Sequence, residues 1–203
     1  MKHRWVTDRG LWLESGARTL GLKQELETAD FAEVEALVPG DGSLLVVLKR
    51  GLGAGQALLD LISNVQFGAG LEIRGRHHEI PVEYGGEAGP DLGRVADAAE
   101  LTTCQAIELH ASAEYRVAFI GFQPGFAYMI GTPEPLQMAR RHAPRARVPA
   151  GSVALGGVYT GIYPGKGAGG WQLIGRTTEW LFDPWRQPPA RFAPGDRIRF
   201  VPR

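Results

Sequence analysis

A single cysteine in 203 residues, Cys104, rules out an intramolecular disulfide and any multi-cysteine metal site. No apolar run reaches membrane-spanning length, and the opening Met1 to Val6, with Asp8 close behind, lacks the apolar core of a signal peptide. There is also no overall excess of charge, since 22 Lys and Arg balance 22 Asp and Glu. These absences point to a soluble, cytoplasmic protein with neither a membrane nor a nucleic acid as partner.

Several chemical signatures are missing as well. Lys166 is followed by glycine, so no standard P-loop is present. Gly165, Gly167 and Gly170 satisfy the spacing of a dinucleotide fingerprint, but the following Trp-Gln-Leu-Ile reads as a strand where such a fingerprint opens a helix. Ser152, in Ala-Gly-Ser-Val-Ala, is not a nucleophile elbow and reads as a turn hydroxyl. The five histidines show no metal-ligand spacing, and His77 and His78 would point to opposite faces of a strand, so no metal site is expected.

Glycine, by contrast, is abundant: 28 of 203 residues, about twice the usual ~7 % share. It concentrates with proline and aromatics between Val117 and Gly175, where apolar runs of four to six residues end in Gly or Pro. That pattern predicts short strands joined by tight turns. The same region is basic. From Tyr115 to Thr178 there are seven Lys and Arg against one acid, Glu134, while the first 114 residues carry ten basic and eighteen acidic side chains. Arginine forks suit a carboxylate or phosphate ligand, although attraction between the two halves or a solvated basic face would give the same count.

The chain before this region predicts a small α+β unit. Strands are expected at Arg4 to Thr7, Leu11 to Glu14, Phe31 to Val38 and Leu44 to Leu48, with a turn at Pro39 to Gly42. Helices are expected at Arg18 to Glu27 and Gly55 to Val65, and Leu71 to Val82 looks extended. This order suggests a ferredoxin-like sandwich over residues 1–81, with a second domain over 82–203. Past the boundary, Pro90 and Asp91 suit a helix start, and Thr102 with Gln105 forms a capping-box pattern for a helix running toward His110.

Candidate chemistry follows from these segments. Glu87 and Asp91, in a glycine-rich strand-to-helix turn, suit acid/base work or helix capping. His110 is either a proton carrier or a satisfied core histidine. Arg145 and Arg147 flank a proline-rich segment able to hold guanidinium groups for an anion, and Gly169-Gly170 would let a ligand approach backbone N–H groups. Gln123, Tyr128 and Ser152, with Lys166, Trp171 and Arg176, complete the candidate substrate and anion site.

With these residues in view, the chain resembles the family of 5-oxoprolinase B subunits, also labelled allophanate hydrolase subunit 1 and Kip-type kinase inhibitor. The resemblance rests on Tyr-Gly-Gly-Glu-x-Gly-Pro-Asp-Leu (Tyr84 to Leu92), Leu109-His110 and Gly-Phe-x-Pro-Gly-Phe-x-Tyr (Gly121 to Tyr128). It continues through Pro-Arg-x-x-Val-Pro-Ala-Gly-Ser-Val (Pro144 to Val153), Ile-Tyr-Pro (Ile162 to Pro164), Gly-Gly-Trp-Gln-Leu-Ile-Gly-Arg-Thr (Gly169 to Thr177) and Pro-Gly-Asp-x-x-x-Phe (Pro194 to Phe200). Gly167-Ala168, where the family usually shows Ser-Pro, departs from the pattern.

The resemblance implies a cyclophilin-like β-barrel behind the small N-terminal domain. It implies a non-autonomous subunit of an ATP-dependent 5-oxoprolinase, working with Mg²⁺-ATP and no covalently bound cofactor. A homologous barrel protein of the C type and a further protein of the A type would be its partners in a hetero-oligomer. Alternatives within the family are a Kip-type regulator that inhibits a sensor histidine kinase, and a carboxyltransferase-like subunit of a urea or allophanate pathway.

Overall fold

The computed structural model describes residues 1–64 and 73–203, and chain contacts divide it into Met1–Arg74 and Gly75–Arg203. In the first unit, alternation of buried residues builds an antiparallel sheet of β1 (His3–Trp5), β2 (Gly10–Glu14), β3 (Val34–Gly40) and β4 (Ser43–Leu48), in spatial order β1-β2-β4-β3. Leu11 and Leu13 on β2 and Leu44, Val46 and Leu48 on β4 turn one face inward, as a period of two requires. Against that face lie α1 (Thr19–Ala29), through Leu22 and Leu26, and α2 (Gln56–Asn64), through Leu58 and Ile62. Each helical pair is four residues apart, the spacing that puts two side chains on one helix face.

The ferredoxin-like expectation for this unit is not confirmed. The segment expected to finish the sheet, Leu71 to Val82, lies partly outside the described residues, and its remainder belongs to β5 (His77–Tyr84), which pairs in the second unit. Val65, the expected last residue of α2, also falls outside the described residues. The division of the chain therefore falls before β5, not at residues 81 and 82, because β5 is hydrogen-bonded to barrel strands on both sides.

The second unit is a closed barrel. Chain order gives α3 (Leu92–Ala98), α4 (Thr103–Ser112), β6 (Tyr115–Ile120), β7 (Ala127–Ile130), β8 (Arg145–Val148), β9 (Ser152–Gly156), β10 (Tyr159–Ile162), β11 (Gly167–Gly169), β12 (Gln172–Arg176) and β13 (Arg197–Pro202). Around the barrel the order is β10-β7-β6-β13-β5-β12-β9, with β9 pairing β10 to close it. β5 and β13 run parallel and the other barrel pairs are antiparallel. Full closure removes the exposed strand edges that invite association.

Two apolar clusters form on the strands. Val153 and Leu155 of β9 join Ile80, Val117, Ile162, Ile198 and Phe200 in one cluster, which also takes in Leu92, Val95 and Ala96 of α3 and Ala106 of α4. Ala154, between those two β9 residues, joins Phe126, Val148, Tyr163, Trp171 and Leu173 in the other. The alternation assigns opposite faces of one strand to two packing environments. Thr102 caps α4 as its sequence predicts: its Oγ1 accepts from Gln105 N–H at 3.2 Å, and its own N–H donates to Gln105 Oε1 at 2.9 Å.

Candidate functional site

The loop after β5 positions the site. Gly85 and Gly86 turn the chain with positive φ, and the loop then lies against β12: Gly85 N–H donates to the Ile174 carbonyl at 3.1 Å and Asp91 N–H to that of Leu173 at 2.9 Å. A Cβ on Gly89 would stand 2.0 Å from the Ile174 carbonyl oxygen, so only glycine permits this approach. The loop delivers Asp91, 4 % exposed, to Arg141 of the segment between β7 and β8 and to Arg145 at the start of β8.

Asp91 sits at the N-cap position of α3 but its side chain makes no capping bond. Its carboxylate instead accepts from Leu173 N–H at 2.7 Å on Oδ2, and from Arg145 Nη2 at 2.8 Å and Arg141 Nη1 at 3.1 Å on Oδ1. Burial alone would raise its pKa. The hydrogen bonds from Arg145 and Leu173 and the charges of Arg145 and Arg141 outweigh that and hold the carboxyl below its ordinary value. A buried carboxylate thus stays ionised and pins two guanidinium groups. Among the described residues, Arg141 Nε and Arg145 Nη1 are buried without a hydrogen-bond partner.

Beside this cluster a cavity of about 170 Å³ is lined by Phe122, Phe126, Tyr128, Tyr163 and Trp171, with Arg140, Arg141, Pro144, Gly169 and Gly170 completing its wall. Tyr163, Phe126, Tyr128 and Trp171 meet edge to face at centroid distances of 5.0 to 5.6 Å. Arg140 lies over Trp171 at 5.7 Å. The glycine rim exists because β11 pairs with β8, Gly169 opposite Arg145, and a Cβ on Gly169 would fall 2.3 Å from the Tyr163 hydroxyl. Buried Gln172 braces the arginine segment, donating from Nε2 to the Ala139 carbonyl at 2.7 Å while accepting from Arg94.

The structure therefore gathers Asp91, Arg145, Tyr128, Gly169, Gly170 and Trp171 from the expected set. Gln123 is nearby in the loop that carries Phe122, and its Oε1 is buried without a hydrogen-bond partner among the described residues. Others go elsewhere. Glu87, Arg147 and Lys166 are exposed and do not line the cavity, and Arg176 is exposed with Nε donating to the Ala150 carbonyl at 3.2 Å. Ser152 is the buried first residue of β9, and its N–H donates to the Pro149 carbonyl at 3.4 Å across the turn at Ala150-Gly151.

His110 is 1 % exposed and packs against Tyr115 and Phe200, away from the cavity lining. Thr160 Oγ1 donates to the Ala154 carbonyl at 3.1 Å, so it accepts from His110 Nε2–H at 3.3 Å, and the Tyr84 hydroxyl then donates to Nδ1 at 2.7 Å. Both ring nitrogens are satisfied with the imidazole neutral. Burial pushes its pKa down to about 3.

The sequence reads Phe122, Phe126, Tyr128, Tyr163 and Trp171 as core or pocket wall, and all five line the cavity. Sequence reasoning missed Arg140, Arg141 and Gln172 as site residues. Arg140 and Arg141 were visible in the local excess of basic residues, and Gln172 carried no signal beyond its strand context. Among the described residues no group of three or more His, Cys, Asp or Glu side chains could hold a metal ion, and no helix is long and apolar enough to cross a membrane.

Residues 5–192 match the family described as carboxyltransferase domain, subdomain C and D. The chain is 46 % identical over 195 residues to the B subunit of 5-oxoprolinase from Escherichia coli O157:H7, covering 94 % of this chain and 87 % of that protein. The crystal structure of TTHA0988 superposes with a TM-score of 0.79 at 35 % identity, over 96 % of this chain and 40 % of that one. This chain thus spans under half the length of that structure's chain. The Kluyveromyces lactis urea carboxylase shares the fold, with a TM-score of 0.72 at 20 % identity over 99 % of this chain and 21 % of that one. With the motifs from Tyr84 to Phe200 carried on a closed barrel, and a relative of that identity spanning both units, the chain belongs to the carboxyltransferase C and D subdomain family and, within it, to the 5-oxoprolinase B subunits.

Proposed function

We propose that this chain is the B component of an ATP-dependent 5-oxoprolinase, inactive alone, which opens 5-oxoproline to glutamate together with a C-type barrel protein and an A-type protein. The observation that carries this reading is the 46 % identity to the E. coli B protein, spread over 94 % of the chain. The site agrees with it chemically: fixed guanidinium groups beside an aromatic wall suit a small ring that bears an anionic group. A lactam is a poor electrophile. Transfer of the terminal phosphoryl group from ATP to its oxygen, with ADP leaving, activates the ring carbon toward water; the ring C–N bond then breaks to leave an acyl phosphate, and a second water releases phosphate and glutamate. In this chain Asp91 acts as a positioning residue, holding Arg141 and Arg145 in place.

Co-expression with both partner types, followed by an assay for glutamate formed from 5-oxoproline, tests the reading. Turnover that requires ATP and all three chains is expected. Full turnover by this chain alone, or none by the assembled complex, overturns it.

A further inference from the structure

The volume of the aromatic cavity decides what it holds. At about 170 Å³ it is smaller than the roughly 300–1,000 Å³ that sites for drug-sized ligands occupy. A nucleoside triphosphate is at least drug-sized, whereas a five-membered ring bearing one carboxylate is well below that scale. A second cleft of the barrel unit, about 470 Å³, is lined in part by Arg76, Trp180, Arg186 and Arg191, and each of these arginines is paired with a carboxylate. Arg76 pairs with Asp196 at 2.9 Å, Arg186 with Asp183 at 3.2 Å, and Arg191 with Glu179.

At the mouth of the smaller cavity, Phe122 is held with φ at +66°, a left-handed conformation that is an outlier for a bulky side chain. A hydrogen bond from Gln123 N–H to the Gly121 carbonyl at 2.7 Å closes a three-residue turn around it, and bonds from Gly121 N–H to the Phe126 carbonyl at 3.0 Å and from Phe126 N–H to the Gln123 carbonyl at 2.9 Å flank that turn. The ring nevertheless stays 60 % exposed, edge-on to Phe126 and Tyr163. The strain is therefore not offset by burial of the ring. Elsewhere on the cavity wall, Arg141 carries a buried Nε that has no acceptor among the described residues.

From this juxtaposition we infer that the cavity binds the small cyclic acid itself, with its carboxylate on the Arg140 and Arg141 side and its ring between Phe122 and Trp171. The same cavity excludes the nucleotide, whose phosphates are held elsewhere in the assembly. The inference rests on the 5-oxoprolinase reading and names which ligand this chain supplies a site for.

Calorimetric titration of the full chain tests it, using 5-oxoproline, 2-pyrrolidinone (the lactam without the carboxylate) and ATP, with thermal melts of each variant alongside. Saturable binding of 5-oxoproline is expected, with none of 2-pyrrolidinone at the same concentration and no displacement by ATP. In Arg141→Lys the planar fork is lost and affinity should fall about tenfold. Phe122→Gly relieves the left-handed strain, so its melting temperature should hold or rise while affinity falls at least about threefold. That pairing guards against misfolding as an explanation, since a merely structural Phe122 would not move affinity.

Displacement of 5-oxoproline by ATP, equal binding of 2-pyrrolidinone, or wild-type affinity in both variants would overturn the inference. Absence of 5-oxoproline binding while the assembled complex turns over would move the acid site to a partner chain, overturning the inference and leaving the 5-oxoprolinase reading intact. Binding that depends on Arg141 and Phe122 in a complex that does not turn over would uphold the cavity and overturn that reading.

Discussion

Asp91 and His110 are both almost fully buried, and in the sequence each has a proton-moving reading beside a structural one, helix capping for Asp91 and a satisfied core position for His110, yet the surroundings of the two side chains treat them oppositely. Asp91 is buried as a charge, compensated by two guanidinium groups and a backbone N–H beside the aromatic cavity. His110 is buried as a neutral ring, hydrogen-bonded to Tyr84 and Thr160 and packed on Tyr115 and Phe200 of the main barrel cluster. What separates them is the available partner. A buried ionisable group keeps its charge only where opposite charge is brought to it, and otherwise sheds it.

The largest effect is expected from removing the charge that holds the arginines. Asp91→Ala leaves two guanidinium groups close together without their counterion, and breaking a buried pair in this way should cost on the order of 3 kcal/mol in urea denaturation. Near-wild-type stability would show that the arginines do not depend on this carboxylate. Because its folded pKa lies below the unfolded value, the stability Asp91 contributes is complete at neutral pH. It is lost as the pH drops beneath the ordinary aspartate value of about 3.9. Asp91→Asn should therefore flatten the acid limb of the stability profile.

A smaller effect, in a different pH window, should mark His110. Its folded pKa of about 3 is depressed from 6.5, so below pH 6.5 the unfolded chain takes up a proton that the folded chain refuses. Stability should fall as the pH is lowered from about 6.5 toward 3, by roughly 2 kcal/mol between pH 7 and pH 5. His110→Gln should remove that slope, read as the urea midpoint against pH. A slope that survives the substitution would assign the pH dependence to another group.

The smallest effects compare two arginines on one strand. Arg145→Ala removes one of the bonds to Asp91 and should cost about 1–2 kcal/mol. Arg147→Ala, at an exposed position outside the cavity lining, should leave the thermal melt unchanged. Equal losses in the two variants would contradict the placement of β8, which carries Arg145 to the carboxylate and leaves Arg147 exposed.

Local features were legible in the sequence by itself, because each is set by neighbours within a few residues. The capping box at Thr102 and Gln105, the helix expected over Arg18 to Glu27 and found over Thr19–Ala29, the turn expected at Pro39 to Gly42 and found at Asp41-Gly42 because β3 runs on to Gly40, and the strand that follows Gly170 all depend on backbone preference and short-range periodicity. The local excess of arginine also marked the region where the site lies. Only the tertiary structure decided which arginine matters. Asp91 meets Arg141, Arg145 and Leu173 across separations of 50, 54 and 82 residues. No sequence spacing encodes such meetings, since they arise when β5, β9 and β12 pair and bring the Asp91 loop against β12. The same closure took β5 out of the expected N-terminal sheet and turned His110 from a candidate acid into a neutral core residue, because partners supplied by barrel strands set its charge.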